Sequence, residues 1–429
     1  MLARLDLRGT GLDVGDRLPR PDLGGAAPVE AVREILAEVK KRGDAALREY
    51  TERFDGAVLD ELSIGPATMD EALAATAAPL REAHEHARAA ILAYHRSQLR
   101  EDAVHEREGI TIREMARPVD RVGVYVPGGR APLLSTVLMT AIPARVAGVE
   151  EVVVCSPPGP DGRVPAGIVA AAGLAGVDAV HPVGGAQAIG ALAYGTESIG
   201  KVDVIVGPGN VYVATAKREV GAEGAVGLPA AFAGPSEVVV VADETTPAEY
   251  AAIDLVVQAE HGPDGLAWLI TWSPETADTV SEAVARLVAA SPRRADLEAT
   301  LHGGGYTVLV DGPEQAAAVA NAIAPEHLEL MNASPESLLP LVRHAGAVFC
   351  GPYAPASVGD YVAGPSHVLP TFGSARFSSA LRVDDFLNWI HVVSLDADAL
   401  ARVAPHVVAL AEAEGLPAHA ESVRLRGRL

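Results

Sequence analysis

Short apolar runs alternate with helix-like segments between residues 124 and 221, and this alternation constrains the fold more than any other feature. The strand-like runs are 124–126, 152–155, 178–183 and 202–206, and the helix-like segments are 135–147, 165–174, 186–193 and 211–220. Short strands separated by helices predict a parallel sheet with right-handed crossovers. This part of the chain therefore predicts a doubly wound α/β unit.

A second unit of the same kind follows it. Strand-like runs at 237–242, 266–272, 307–310, 327–331 and 347–350 alternate with helices, three of which begin near Pro274, Pro313 and Pro335. The predicted fold class is α/β, with two doubly wound, incomplete Rossmann-like parallel-sheet domains and small N-terminal and helical C-terminal segments. The predicted division is 1–24 as the N-terminal segment, 25–123 with 237–381 as the first α/β domain, 124–236 as the second, and 382–429 as a helical tail.

Three strands of the first repeat end in glycine-bearing turns. These turns are Pro127-Gly128-Gly129, Gly184-Gly185-Ala186-Gln187 and Gly207-Pro208-Gly209-Asn210. Open α/β sheets bind ligands at such strand ends. The dinucleotide fingerprint G-x-G-x-x-G is nevertheless absent, since Tyr212 stands where the third glycine after Gly207 and Gly209 would be. The turns therefore permit nucleotide binding without indicating it.

Composition excludes several classes of partner. A net charge of -22 and the absence of a Lys/Arg cluster argue against nucleic acid. The first 25 residues lack the apolar core of a signal peptide, and no apolar run reaches membrane-spanning length. We therefore expect a cytoplasmic protein that acts on a small molecule and binds neither membrane nor nucleic acid. Cys155 and Cys350 each end an apolar run, which predicts buried strand ends and not a disulfide or a nucleophile.

A carboxylate and an imidazole stand side by side after a proline, at Glu326 and His327. Pro325 disfavours helix at Ala324, so the preceding helix is predicted to stop there and to leave the pair on a loop that enters a strand. A Glu that takes a proton from water, beside a His that titrates near neutrality, can serve as an acid/base pair. The alternative is two solvated polar residues that cap a strand.

Metal-ligand residue types occur in three further places. Gln258 and His261 fall in the last turn of one predicted helix, where His261 could equally cap the helix carbonyls. Asp360 and His367 lie in a glycine-punctuated loop, and the tail contains Glu414 and His419. Two His, one Asp and an amide oxygen form a possible zinc set, although no local H-E-x-x-H or C-x-x-C pair marks a site.

Seven ordered motifs together resemble the histidinol dehydrogenase family across nearly the whole chain. They are Tyr125-Val126-Pro127-Gly128-Gly129, Gly207-Pro208-Gly209-Asn210, Ala233-Gly234-Pro235-Ser236-Glu237, Gln258-Ala259-Glu260-His261-Gly262, Ala324-Pro325-Glu326-His327-Leu328, Gly359-Asp360-Tyr361 and His367-Val368-Leu369-Pro370-Thr371. The resemblance implies a zinc-dependent enzyme that oxidises L-histidinol to L-histidine through an enzyme-held aldehyde, in two NAD-dependent steps. This reaction is the last step of histidine biosynthesis.

The resemblance also implies a role for individual residues. It places one zinc ion per subunit on Gln258, His261, Asp360 and His419, and it makes Glu326 and His327 the catalytic pair. NAD contacts fall on Tyr125, Gln187 and Asn210, whereas substrate contacts fall on Ser236, His327, His367 and Glu414 besides the zinc ligands. It further implies a homodimer in which each tail crosses to the active site of the partner.

Two departures from the family pattern carry expectations of their own. The segment 227–232 has an apparent extra residue, so the loop leading to Ser236 is expected to sit differently. Ser366 stands where many members carry Asn, which predicts a weaker or water-mediated polar contact near His367. Two other readings remain open: a zinc hydrolase in which Glu326 activates metal-bound water, and a non-catalytic module that binds a metal or metabolite.

Overall fold

The computed structural model describes residues 1–19, 28–128, 132–229, 236–260 and 265–427. The larger of its two parallel sheets has six strands, in the spatial order β1 (Ala3–Asp6), β10 (Gly305–Leu309), β9 (Leu266–Thr271), β8 (Glu237–Ala242), β11 (His327–Leu330) and β12 (Ala347–Cys350). His327 lies opposite Val238 of β8 and Ala347 of β12. β8 and β9 are buried along their whole length, because helices and loops cover both faces of the sheet.

The smaller parallel sheet has four strands and contains the repeat that the sequence predicted. Its spatial order is β6 (Ala179–His181), β5 (Glu151–Cys155), β4 (Arg121–Tyr125) and β7 (Val204–Val206). Valines of β4 and β5 are fully buried in two apolar clusters, one on each face. The predicted α/β class with two parallel sheets is confirmed.

Sixteen α-helices occur in the described residues. They are α1 (Val29–Arg42), α2 (Asp44–Asp55), α3 (Pro66–Ala74), α4 (Ala78–Arg96), α5 (Leu134–Ala147), α6 (Ala166–Ala175), α7 (Gly185–Tyr194), α8 (Val211–Ala222), α9 (Ala248–Ala259), α10 (Pro274–Ala290), α11 (Arg294–Gly304), α12 (Pro313–Ile323), α13 (Pro335–Leu338), α14 (Ala356–Tyr361), α15 (Ala397–Ala413) and α16 (Pro417–Arg426). Within these ranges, no helix combines the length and apolar character that a membrane crossing requires.

The helices before β4 pack beside the smaller sheet. Val32 and Leu36 of α1 share an apolar cluster with Ile189 of α7, and Met69 of α3 packs with Ile168 of α6. The sequence assigned 25–123 to the domain of the larger sheet. Those boundaries stay a prediction, and the packing places the N-terminal helices next to the segment 124–236.

A three-stranded antiparallel sheet was not predicted. It orders β13 (Leu387–Leu395), β3 (Ile110–Pro118) and β2 (Ala103–Arg107), and β13 pairs with β3 along nine residues. The tail from residue 382 is therefore not helical throughout, since a strand precedes α15 and α16. β13 is rich in β-branched and aromatic residues, which fit a pleated surface.

Both cysteines end strands and are free, as predicted, but the predicted burial is wrong for Cys350. Cys155 ends β5 and is fully buried, and this burial raises the pKa of its thiol to about 12. Cys350 ends β12 and is half-buried.

Candidate active site

The Glu-His pair lies at the amino end of β11, directly after α12. Ala324 caps that helix in the left-handed conformation, with φ 55°, and its N–H donates to Ala320 at 2.8 Å. The helix thus stops where the sequence predicted, and Pro325 leads into the strand. Glu326 is 7% exposed and His327 is 6% exposed. Such burial excludes the alternative of two solvated residues.

Glu326 is held by groups at the start of β8. Its Oε2 accepts a hydrogen bond from the backbone N–H of Glu237 at 3.1 Å, and the hydroxyl of Ser236 also bonds to it. Burial raises the pKa of Glu326 above its ordinary value, although the nearby His327 opposes this shift. The buried carboxyl group therefore holds a proton more readily than a surface glutamate does.

His327 lies between two carboxylates. Its Nδ1 donates to the carbonyl oxygen of Glu237 at 3.2 Å and lies 3.7 Å from Glu326 Oε2, whereas its Nε2 lies 3.7 Å from Asp360 Oδ1. Burial alone would lower the pKa of the imidazole, but Glu326 and Asp360 outweigh it and raise that pKa to about 9. The Glu237 carbonyl oxygen keeps a proton on Nδ1, so Nε2 is the nitrogen that loses its proton when the imidazolium is deprotonated and that then acts as a base.

The side chain of Glu237 adds a second buried acid to this cluster. Burial, followed by the charge of Glu326, raises the pKa of Glu237 to about 8. From the sequence, Glu237 stood out only as a strand start and as the last residue of one family motif, and no role was predicted for Asp254 or Glu329. The available signal was a carboxylate within or beside a strongly apolar run, as in Glu237 before four valines and an alanine.

The proposed zinc ligands are only partly brought together. Gln258 is buried at the end of α9, and its amide Nε2 has no hydrogen-bond partner among the described residues. Asp360 lies on α14 and faces His327. His261 lies outside the described residues. His419 is exposed on α16 of the same chain, as is Glu414 at the end of α15.

The side chains of Gln258 and Asp360 are of types that can bind a metal ion. Gln258 lies buried on the helix that leads to His261, and one of its two amide atoms has no partner among the described residues. Turned so that this atom is the oxygen, the amide can ligate a metal. A carboxylate with adjacent imidazoles is the ligand chemistry that zinc takes. In the described part of the chain, no three His, Cys, Asp or Glu side chains form a complete metal cluster. One chain therefore supplies Gln258 and Asp360 as candidate ligands, whereas His419, the proposed ligand in the tail, is exposed on α16.

His367 connects the two sheets. Its Nδ1 donates to the carbonyl oxygen of Asp360 at 2.9 Å, and its Nε2 accepts from the hydroxyl of Thr136, on α5, at 3.1 Å. The neighbouring Ser366 hydroxyl donates to the carbonyl oxygen of Met139, also on α5, at 2.9 Å. Ser366 thus makes a direct hydrogen bond, without a bridging water, to the helix α5. The altered loop before Ser236 lies mostly outside the described residues.

The three predicted NAD-contact residues lie in or beside turns at the carboxyl edge of the smaller sheet. The hydroxyl of buried Tyr125 accepts from the N–H of Gly185 at 3.1 Å, which joins the end of β4 to the start of α7. Gln187, one turn into α7, is buried, and its Oε1 has no partner among the described residues. Asn210 caps α8 by accepting from the N–H groups of Tyr212 and Val213.

The turn after β7 requires glycine at its first position. Gly207 has φ 100°, and a Cβ there would lie 2.1 Å from the carbonyl oxygen of Tyr125. The buried ammonium group of Lys217, on α8, donates to the Gly207 carbonyl oxygen, and burial lowers the pKa of this lysine to about 8. The backbone can thus approach a ligand at this edge without a G-x-G-x-x-G motif.

Comparisons with known proteins agree on one family. The family model described as histidinol dehydrogenase matches residues 19–427. A histidinol dehydrogenase of Parasynechococcus marenigrum is 49% identical over 393 residues, which cover 91% of this chain and 89% of the relative. The enzyme of Geobacillus kaustophilus is 48% identical over 397 residues, covering 92% and 93%. The crystal structure of histidinol dehydrogenase from Elizabethkingia anophelis superposes with a TM-score of 0.94 at 34% identity, and covers 99% of this chain and 98% of that one.

The two parallel sheets, together with these relatives, define an oxidoreductase of α/β fold. More narrowly, the chain belongs to the histidinol dehydrogenase family.

Proposed function

We propose that the protein catalyses the four-electron oxidation of L-histidinol to L-histidine through histidinal, with zinc bound and two NAD consumed per histidine. The observation that carries this proposal is the buried pair Glu326 and His327, with Asp360 beside the imidazole Nε2. The pair offers two bases with different tasks, which a two-step oxidation needs and a single hydride transfer does not.

The zinc ion would be held by Gln258, His261, Asp360 and His419. When bound, zinc supplies positive charge beside His327 and coordination positions that orient the amino and imidazole nitrogens of the substrate. Ser236, His367 and Glu414 complete the substrate contacts. The hydrogen bonds of His367 to Asp360 and Thr136 set its ring at the boundary between the two sheets.

In the first oxidation, His327 removes the hydroxyl proton of histidinol at Nε2 while hydride leaves the carbinol carbon for the nicotinamide. The fixed bond from Nδ1 to Glu237 keeps the accepting nitrogen turned toward Asp360 and the substrate. The C–H bond breaks with its electron pair, and the product is histidinal, NADH and one proton. Orientation by the surrounding residues supplies the near-attack geometry.

The second oxidation consumes one water molecule. Glu326 deprotonates this water as it attacks the aldehyde carbon. The aldehyde oxygen takes back the proton that His327 accepted in the first oxidation, so a hydrate forms and His327 is again a free base. His327 then removes a hydroxyl proton from the hydrate while a second hydride leaves for a second NAD. Burial has already raised the pKa of Glu326, so its carboxylate is a stronger base than a solvated one.

NAD would bind at the carboxyl edge of the smaller sheet. The support is that Tyr125 and Gln187 offer buried polar atoms there, and Asn210 lies exposed at the start of α8. Strand-end turns of this kind are the usual ligand sites of open α/β sheets.

The proposed assembly is a cytoplasmic homodimer with shared active sites. Glu414 and His419 are exposed in one chain, although both are assigned to the substrate and zinc contacts. A crossed tail would bring them to the partner's Glu326–His327 pair. A net charge of -22 fits a small-molecule enzyme that binds neither nucleic acid nor membrane.

The test is to mix the protein with zinc, L-histidinol and NAD, and to follow NADH absorbance together with histidine formation. We expect two NADH per histidine. No NADH with verified zinc loading would reject the proposal, and ester or amide cleavage without NADH would identify a zinc hydrolase instead.

A further inference from the structure

A second pair of buried acids, Asp254 and Glu329, lies close to the catalytic pair. Glu329 is fully buried in β11, two residues after His327, so both side chains project from the same face of the strand. Asp254 is 8% exposed on α9 and precedes Gln258 by four residues, so these two share one face of the helix. Neither acid has a task in the oxidation.

Glu329 joins three elements of the site. Its Oε1 accepts a hydrogen bond at 2.8 Å from the backbone N–H of Ala356, the first residue of α14. Its Oε2 is buried and accepts from no N–H or hydroxyl group of the described residues, while the side chain hydrogen-bonds to the carboxyl group of Asp254. The helix that carries Asp360 and the helix that carries Gln258 therefore meet at one side chain of the strand that carries His327.

Two ionised carboxylates cannot hydrogen-bond to each other, because both are acceptors only. The bond between Asp254 and Glu329 requires one shared proton. Burial, and then the charge of Asp254, raises the pKa of Glu329, and burial raises the pKa of Asp254 as well. The two raised pKa values agree with a proton kept on the pair, which this contact requires.

We infer that Asp254 and Glu329 are positioning residues that hold Gln258 and Asp360 in register with His327 for metal binding. α14 has only six residues and cannot be stable by itself, so its orientation depends on contacts such as the bond from Ala356. This inference rests on the proposed zinc site. It concerns neither a ligand nor a reacting group, but the groups that orient them.

The first test compares Glu329→Gln with Glu329→Met in the full-length protein, by competition for zinc with a chelator of known affinity. The amide of Gln can accept from Ala356 and donate to Asp254, whereas Met, of similar size, can do neither. We expect the zinc dissociation constant of Glu329→Gln to stay within about threefold of wild type. Glu329→Met should bind zinc about 10- to 100-fold more weakly, the usual loss when a group that orients metal ligands is removed.

The second test removes the other hydrogen bond without changing an acid. Ala356→Pro deletes the donor N–H at the first position of α14, where proline is tolerated, and the preceding Pro355 already has the extended backbone (φ -69°, ψ 153°) that a following proline needs. Ala166→Pro is the matched control, since Ala166 is exposed and also begins a helix after a proline. Only Ala356→Pro should weaken zinc binding.

Each outcome bears on the inference. Circular dichroism first establishes which variants are folded, and Ala356→Pro decides the matter if Glu329→Met does not fold. Zinc binding by folded Glu329→Met or Ala356→Pro that equals wild type would overturn the inference and leave the zinc site intact. Equal weakening by Glu329→Gln and Glu329→Met would also overturn it. Failure of the wild type itself to bind zinc would overturn both the proposed site and the inference.

Discussion

Nε2 of His327 lies 3.7 Å from Oδ1 of Asp360, and the imidazole therefore faces a group that is itself assigned to the metal. The opposite nitrogen is already committed to the carbonyl oxygen of Glu237. The ring nitrogen Nε2 remains available for proton transfer, and it faces Asp360, one of the proposed metal ligands.

Substitution of the two bases should separate the two oxidations. Glu326→Gln is expected to block the second oxidation by about 10²- to 10⁴-fold, because water activation is needed only after the aldehyde forms. His327→Asn should slow both oxidations. Supplying histidinal and histidinol separately to each variant measures the two steps. Equal rates of Glu326→Gln and wild type with histidinal would contradict the assignment.

Removal of zinc should abolish turnover without unfolding the protein. Gln258 and Asp360 lie on helices that belong to an α/β body with its own apolar clusters, unlike a zinc finger in which the metal replaces a core. After dialysis against a chelator, we expect circular dichroism to be nearly unchanged and NADH production to be lost, with recovery when zinc is restored. Undiminished activity in verified metal-free protein would show that zinc is dispensable.

The hydroxyl of Tyr125 should matter for NAD. Tyr125→Phe deletes the acceptor for the Gly185 N–H, and we expect the KM for NAD to rise about three- to tenfold, as for the loss of one hydrogen bond. Tyr194→Phe is the control, because its hydroxyl bonds to exposed Glu223 at the other end of α7. A similar KM change in both variants would point to a general disturbance of α7.

Asp55 gives the stability a predictable pH dependence. Burial raises the pKa of Asp55 to about 6, and its Oδ2 has no partner among the described residues. The folded state therefore favours the protonated form. This contribution is complete below about pH 4, the ordinary pKa of aspartate, and is lost as pH rises through about 6.

Asp55→Asn removes the ionisable group, so the variant does not lose this stability as the pH rises. We expect the variant to match wild type near pH 4 and to exceed its free energy of unfolding by about 1 to 2 kcal/mol at pH 7, allowing for partial exposure. Urea unfolding at the two pH values measures the difference. Exposed Asp60→Asn is the control, and a pH-independent effect of Asp55→Asn would refute the explanation.

The exposed positions of Glu414 and His419 lead to a complementation test. If tails cross between subunits, mixing Glu326→Gln with His419→Ala produces heterodimers with one doubly damaged site and one intact site. With random exchange about half the dimers are mixed, so histidine formation should recover to about a quarter of wild type. No recovery after demonstrated subunit exchange would show that each site uses its own tail.

Much of the fold could be predicted because periodicity is a local property. The parallel strands and the end of α12 at Ala324 follow from apolar runs and from Pro325. β13 could not be predicted in this way, because its nine residues become a strand through pairing with β3, far away in the chain. Its β-branched and aromatic residues permit a strand, but they do not reveal the partner β3 on which that strand depends.

The residues of the candidate site were predicted from the family motifs more than from physical arguments about the residues themselves. Glu326 and His327 stand out as neighbours, but their burial depends on β8 and on Asp360, which tertiary structure brings to them. Glu329 looks like the polar position of an ordinary strand, and only the approach of Asp254 and Ala356 gives it a task. Spacing also could not show that His419 is exposed while Gln258 is buried.

The enclosed thiol of Cys155 has a practical consequence for the handling and the physiology of the protein. A neutral, inaccessible sulfur reacts slowly with iodoacetamide or peroxide, and burial also raises the pKa of Cys350. The proposed chemistry uses nitrogen and oxygen side chains alone, so the aldehyde is never held as a thiohemiacetal. We therefore expect catalysis to survive alkylating and mildly oxidising conditions that silence cysteine-dependent aldehyde oxidation, and to follow the supply of metal rather than the redox state of the surroundings.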